Sequence, residues 1–337
     1  MSLKLKGYVI LPVHNKSSGF DHAAVHQGKH LLYVAHTSND AIDVIDCAPD
    51  RYLRSILNLT GVAGALVSEE HNLVFTSNRG EDTVSIFSPD AEDEAVKVSV
   101  GIRPNGLSFD PKRGLLLAAN VGNPDIPNSF TVSIVDVKQQ KMITSIPVAG
   151  RTRWTIFAPR SGCFYVNIAD PSQVVVVESA HPTRVARHME IPAKGPHGLD
   201  FDPATNRLFC ACDEGKLFAL DASTGKILLD ADLSGSPDVI FFNAALKHLY
   251  VAVGDPGVID LFDTNSLKRI DTISTEKGAH TIGIDTTQNK VFAFFPESRC
   301  ITRWSSAVIG CRKIASSRSW GLPICCQAQR HFNLPFT

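Results

Sequence analysis

The stretch RPNGLSFDPKRGLLLAAN at 103–120, followed by TVSIVDV at 131–137 and MITSIPVAG at 142–150, sets the grammar of the chain. Its short runs alternate apolar and polar residues or are wholly apolar, and Asp-Pro, Gly and Asn-Pro breakers separate them. That pattern predicts four strands and three turns. The same grammar returns as LLYVAHTSNDAIDVID at 31–46, LVFTSNRGEDTVSIF at 73–87 and LYVAVGDPGVIDLFD at 249–263. The residues that open the first strand of each copy are His22, Ala63, Asn105, Trp154, His197, Asp238 and His280, at intervals of 41, 42, 49, 43, 41 and 42. Seven four-stranded units at a period of about forty residues predict an all-β, seven-bladed β-propeller, in which each sheet covers the face of its neighbour.

The units span roughly 19–60, 62–101, 102–149, 151–194, 195–235 and 236–278, and a seventh starts at Ala279. That last unit has only three strands before it stops near Ser306, and Gly7 to Val13 supplies the missing outer one. Pairing the two ends closes the ring and removes open sheet edges. Residues 1–306 therefore read as one domain, and 307–337, which lacks the repeat grammar, as an extension outside it. The phrase LYVAHTSNDAIDVID at 32–46 resembles the YVTN-repeat family of seven-bladed propellers, and weaker versions cover 19–304. The resemblance implies the fold. It leaves chemistry open, because the family includes lactonases, cyclases and metalloenzyme domains.

Composition narrows the partners. A net charge of -1 with Lys and Arg scattered among acidic residues gives no basic face for nucleic acid. No apolar run reaches the length of a membrane helix, and the N-terminal MSLKLKGYVILPV lacks a small-residue cleavage site, so a cytoplasmic, monomeric protein is expected. The sequons at Asn15 and Asn58 carry no weight in that compartment. Cys47, Cys163, Cys210, Cys212, Cys300 and Cys311 fall in or beside predicted strands without regular spacing and read as reduced core thiols. Cys325 and Cys326 lack the second half of a zinc-site pattern.

In a propeller the first strand of each blade starts at one mouth of the channel and the second returns to it. Blades 5, 6, 7 and 1 then bring His197, Asp238, His280 and His22 side by side. Three imidazoles and a carboxylate suit a divalent ion, with zinc, iron, nickel, manganese and calcium all in question. The alternative is a wet channel whose polar groups bond to water. Across the mouth, blades 2 to 4 offer Arg79, Arg103 and Arg153, with Asn78, Asn105, Asn120 and Asn167 on the two rings, and His36 reaches the same level from blade 1. Arginine forks bind carboxylates, amides read hydroxyls and carbonyls, and Trp154 supplies a stacking wall. The alternative for each Arg is a loop charge paired with Glu81, Asp82 or Asp125.

Two classes of function follow. One is a metal-assisted hydrolase or lyase, lactonase-like, in which His22, His197, Asp238 and His280 hold the ion, His197 or His280 acts in catalysis and the Arg and Asn side orients a small anionic substrate. The other is a non-catalytic propeller that binds a protein or small ligand. The sequence has no GxSxG elbow, phosphate loop or HExxH helix to suggest another chemistry.

Overall fold

A computed structural model describes residues 3–17, 19–297 and 300–306 of the chain. They form seven antiparallel sheets of four strands, six of them built from consecutive strands running from the channel outward. The seventh takes its inner three strands from Ile282–Asp285, Lys290–Phe294 and Cys300–Ser306, and its outer strand from Leu3–Ile10. The closing strand thus begins and ends a few residues earlier than the sequence pattern predicts, and it pairs from Leu3↔Ser306 to Ile10↔Cys300 with a bulge between Leu5 and Gly7. The extension at 307–337 lies outside the described residues.

The second strand of each blade shows why the apolar runs are continuous. In LLYVAH, Leu32 and Val34 point into the core shared with blade 7, whereas Tyr33 and Ala35 point into the core shared with blade 2. Alternation of side chains across a strand here feeds two different cores, so both faces are apolar. The same holds around the ring: seven hydrophobic clusters occupy the seven gaps between adjacent blades. Outer strands have one face in water and alternate accordingly, as in Lys141–Pro147 and Ile227–Asp232. The buried free thiols of Cys47, Cys163, Cys210 and Cys212 belong to this packing. Among the described residues no helix is long and apolar enough to cross a membrane.

The closing strand buries Leu3 and Val9, and Leu11 follows it into the core between blades 7 and 1. At about 1.5–3 kcal/mol for each buried aliphatic side chain, the three contribute an amount comparable with the roughly 5–15 kcal/mol net stability of a whole domain. Deleting residues 1–13 is therefore expected to abolish the cooperative thermal transition seen by circular dichroism. A truncated chain that melts like the parent would remove ring closure as a stabilising element.

Candidate ligand site at the channel mouth

The innermost strands of blades 2 to 6 enter their ladders through an irregularity, Val62 to Gly64 in blade 2. Pro104 pairs with Asn120 and the regular register resumes at Leu107↔Ala118, and the same step occurs from Thr152 to Thr155, Pro196 to Leu199 and Pro237 to Ile240. Such bulges turn side chains away from the regular alternation and sharpen the twist of the strand. The ladders show which residues are equivalent. Asn105, His197, Asp238 and Ala63 share one level, and Arg153 stands there in blade 4 and Asp21 in blade 1. Trp154 and His22 sit one residue deeper. The sequence repeat aligned these two with the mouth ring, and the one-residue difference sends them to another level.

Neighbouring strands come very close here. A Cβ on Gly106 would lie 2.6 Å from the Arg153 carbonyl oxygen, and one on Gly198 would lie 2.5 Å from that of Asp238. Only glycine permits this approach, and it brings the ring side chains of adjacent blades into contact. Arg153 Nη1 lies 3.2 Å from His197 Nε2, and its Nη2 donates to Asp213 Oδ2 at 3.2 Å. His197 Nδ1 donates to Asp213 Oδ1 at 2.7 Å, and Nε2 lies 3.3 Å from Asp238 Oδ1. Arg79 reaches across two blades, donating to Asp21 Oδ2 at 3.0 Å and to Asn105 Oδ1 at 2.6 Å.

These contacts set protonation. Burial works against charge on His197, but the negative charge of Asp238 and the hydrogen bonds to Asp213 and Asp238 outweigh it and raise its pKa to about 9. Burial of Asp238 is likewise overcome by His197, His280 and His22, and its carboxyl is held well below the usual range. His22, buried against Trp154 with ring centroids 4.0 Å apart, has its pKa lowered by desolvation, so the neutral ring is favoured. Arg151 adds a cation that the sequence reading missed. Burial of its head group comes first and repulsion from Arg153, Arg79 and Arg103 next in lowering its pKa, although a guanidinium keeps its charge at neutral pH.

The structure thus gathers His22, His197 and His280 around the Asp238 carboxylate, and sets Arg79, Arg103, Arg151 and Arg153 near one another. Asp21 and Asp213, also missed, hold Arg79 and Arg153 in place. Arg103 and Arg151 have no carboxylate partner among the described residues; the contact of Arg103 with Asp82 is through its backbone N–H. Of the four amides only Asn105 stays at the mouth, bonded to Arg79. Asn78 and Asn120 are fully buried and donate to Ser85 and Ser133 on the third strand of their own blades. Asn167, also buried, donates to the carbonyls of His197 and Gly198. His36 occupies a closed network in which Nδ1 contacts Asp43 at 2.7 Å and Nε2 contacts His14 at 2.7 Å. Trp154 points along the axis, with His22 on one side and Phe241 at 6.2 Å on the other.

The donor set does not fit a divalent ion in this arrangement. His280 turns Nδ1 to the Gly278 carbonyl at 2.7 Å and Nε2 to the Phe20 carbonyl at 3.0 Å. His197 has a carboxylate at each nitrogen and a guanidinium beside one of them. Among the described residues no three His, Cys, Asp or Glu side chains are grouped to hold a metal.

The fold and mouth define a closed seven-bladed propeller with a polar funnel at one end of its channel. The chain matches no protein-family model, including one for the YVTN repeat, and no curated protein sequence. Among solved structures it is similar to hydrazine synthase of Kuenenia stuttgartiensis, with a TM-score of 0.77 and 13% identity over 88% of this chain and 98% of that one. At that identity the likeness is one of architecture.

The linkage of His197 has a definite sign. Its folded pKa lies above its ordinary 6.5, so the stabilisation is complete below the ordinary value and is lost as pH rises through about 9. Thermal melts between about pH 7 and about pH 10 should show a fall in Tm for the native chain that is smaller in Asp238→Asn, in which part of the raised pKa is gone. Parallel curves for the two proteins would refute the charge assignment.

Proposed function

We propose that the mouth binds a small carboxylated, oxygen-rich substrate and transfers a proton to it, without a metal, in a hydrolysis or elimination of the lactone or ester type. The observation that carries this is the arginine set. Arg79 and Arg153 are paired with Asp21 and Asp213, whereas Arg103 and Arg151 form no carboxylate ion pair among the described residues, and the attraction of Asp213 for Arg151 is weaker than the repulsion from the other arginines. Excess guanidinium charge in a concave site is complementary to an anion, and its planar fork to a carboxylate.

His197 supplies the proton. Asp213 fixes the ring through Nδ1, which leaves the Nε2 proton facing the funnel beside Asp238. When His197 is charged, Nε2 and Arg153 Nη1 are both donors, so their 3.2 Å contact is no hydrogen bond, and an acceptor placed between them would gain from both. A leaving alkoxide oxygen is such an acceptor: in a hydrolysis water adds to the acyl carbon and loses a proton to solvent, the carbon–oxygen bond breaks, the alkoxide takes the Nε2 proton while Arg153 stabilises its charge, and His197 regains a proton from solvent.

Calorimetric titration with malonate, succinate and tricarboxylates, alongside turnover screens on carboxylated lactones and esters, tests the reading. Arg103→Ala and Arg151→Ala should each weaken carboxylate binding about tenfold, the value of one charge-assisted contact, with Tm unchanged because neither side chain carries a structural ion pair. His197→Gln should lower kcat about 10²- to 10⁴-fold, the usual range for a lost general acid. Equal affinity for neutral and anionic ligands would end the anion reading. Tight carboxylate binding with no turnover would leave the mouth as a binding site.

A further inference from the structure

The Trp154–His22 pair divides the channel. On the far side lies a cavity of about 370 Å³ that runs to Ser68, Pro111 and Pro159, at or just beyond the ends of innermost strands and so towards the opposite face. Its walls are apolar side chains of several blades, among them Leu66, Phe109, Ile156, Phe157 and Phe241. Leu66, Ile156, Phe157 and Phe241 stay half-exposed although they sit on the innermost strands, where burial would be complete if the channel were packed shut. A space of this size, mostly apolar with a few polar groups, among them His22, Ser108, Thr155 and Asp200, has the character of a small-molecule site.

Asp200 is the one carboxylate on the lining. The ladders put it level with Ala24, Leu66, Ser108, Ile156, Phe241 and Gly283, none of which carries charge. Its Oδ1 accepts from the Phe201 N–H at 2.7 Å and its Oδ2 from the Phe242 N–H at 2.6 Å. Each oxygen keeps a further lone pair, and no cationic side chain bonds to it. Asp200 is partly exposed to the cavity, so its charge is met there by water unless a cation takes the place of that water. Burial pushes Asp200 up to about 7, with the two backbone N–H groups opposing, and no charged side chain of the packed blades contributes. His22 is the other titratable side chain on the wall, and it favours the neutral form.

From the cavity and its single carboxylate we infer that the lower channel is a second ligand site, distinct from the mouth, that takes a lipophilic ammonium: an aromatic or branched apolar body with one protonated amine paired to Asp200. The apolar body replaces water against the half-exposed walls, and the Phe109, Phe157 and Phe241 rings give the ammonium aromatic surfaces beside its counter-ion. A carboxylated ligand of the kind proposed for the mouth is excluded here by Asp200.

The test uses the full chain and 1-naphthylmethylamine, whose ammonium stays charged between about pH 6 and about pH 8, with 1-naphthylmethanol as the neutral match. Binding is followed by calorimetry and by the fluorescence of Trp154, which lines the cavity. The amine should bind at least about tenfold more tightly than the alcohol at about pH 8, with a change in Trp emission, since a buried ion pair is worth more than one decade. For a carboxyl near 7, the ionised fraction and hence amine affinity should rise about tenfold from about pH 6 to about pH 8, while alcohol affinity stays flat. Asp200→Asn should erase the preference for amine. Equal binding of the two ligands, a flat pH profile for the amine, or an unchanged preference in Asp200→Asn would overturn the site. The pH profile of the native chain decides the matter even where the variant does not fold.

Discussion

The distance between neighbouring innermost strands is the constraint on which the mouth depends. Gly106 and Gly198 let the backbone of one blade lie against a carbonyl of the next, closer than any side chain would allow. That proximity turns residues about forty apart in sequence into direct neighbours, and it makes Arg153, His197 and Asp238 an electrostatic unit. Larger residues at the same depth in blades 1 and 4, His22 and Trp154, turn into the channel and fill its axis. Small residues at one level thus create the contacts, and large ones at that level create the floor.

Repetition made the architecture legible in the sequence, because a strand covered on both faces must be apolar throughout and the pattern recurs in every blade. The ring of the mouth was legible only in part. His197, Asp238 and His280 follow from the period, but the lead-ins Asp21-His22 and Arg153-Trp154 each offer two polar or aromatic residues to a single slot. The repeat cannot choose between them, since the bulge that assigns the slot is a property of the backbone. Arg151 was hidden for a related reason: it precedes the strand and acquires its role only from the three arginines that other blades bring near it.

The amides illustrate a different limit. Asn78 and Asn120 recur at the end of the second strand, and recurrence there reflects a bond to the third strand, as it does for the His36 and Asp43 pair in blade 1. A polar residue repeated by blade serves the blade. One that varies from blade to blade, such as Arg153 level with Ala63, Asn105 and His197, or that breaks the pattern, such as Asp200 among apolar residues, has no such internal partner strand to explain it, and both candidate sites rest on residues of that kind.

The seam between the first and last blades runs through the mouth. His280 belongs to blade 7 and bonds to the Phe20 carbonyl next to Asp21 of blade 1, while Leu3–Ile10 waits for Cys300–Ser306 before it can pair. A ribosome making this chain emits the closing strand nearly three hundred residues before its partner. Until then every intermediate is an open arc whose two ends each leave an inter-blade core uncovered. The Arg153, His197 and Asp238 side of the funnel lies within blades 4 to 6, whereas the His280 bond to Phe20 forms only when the ring closes, so a chain that stalls short of closure has half a mouth.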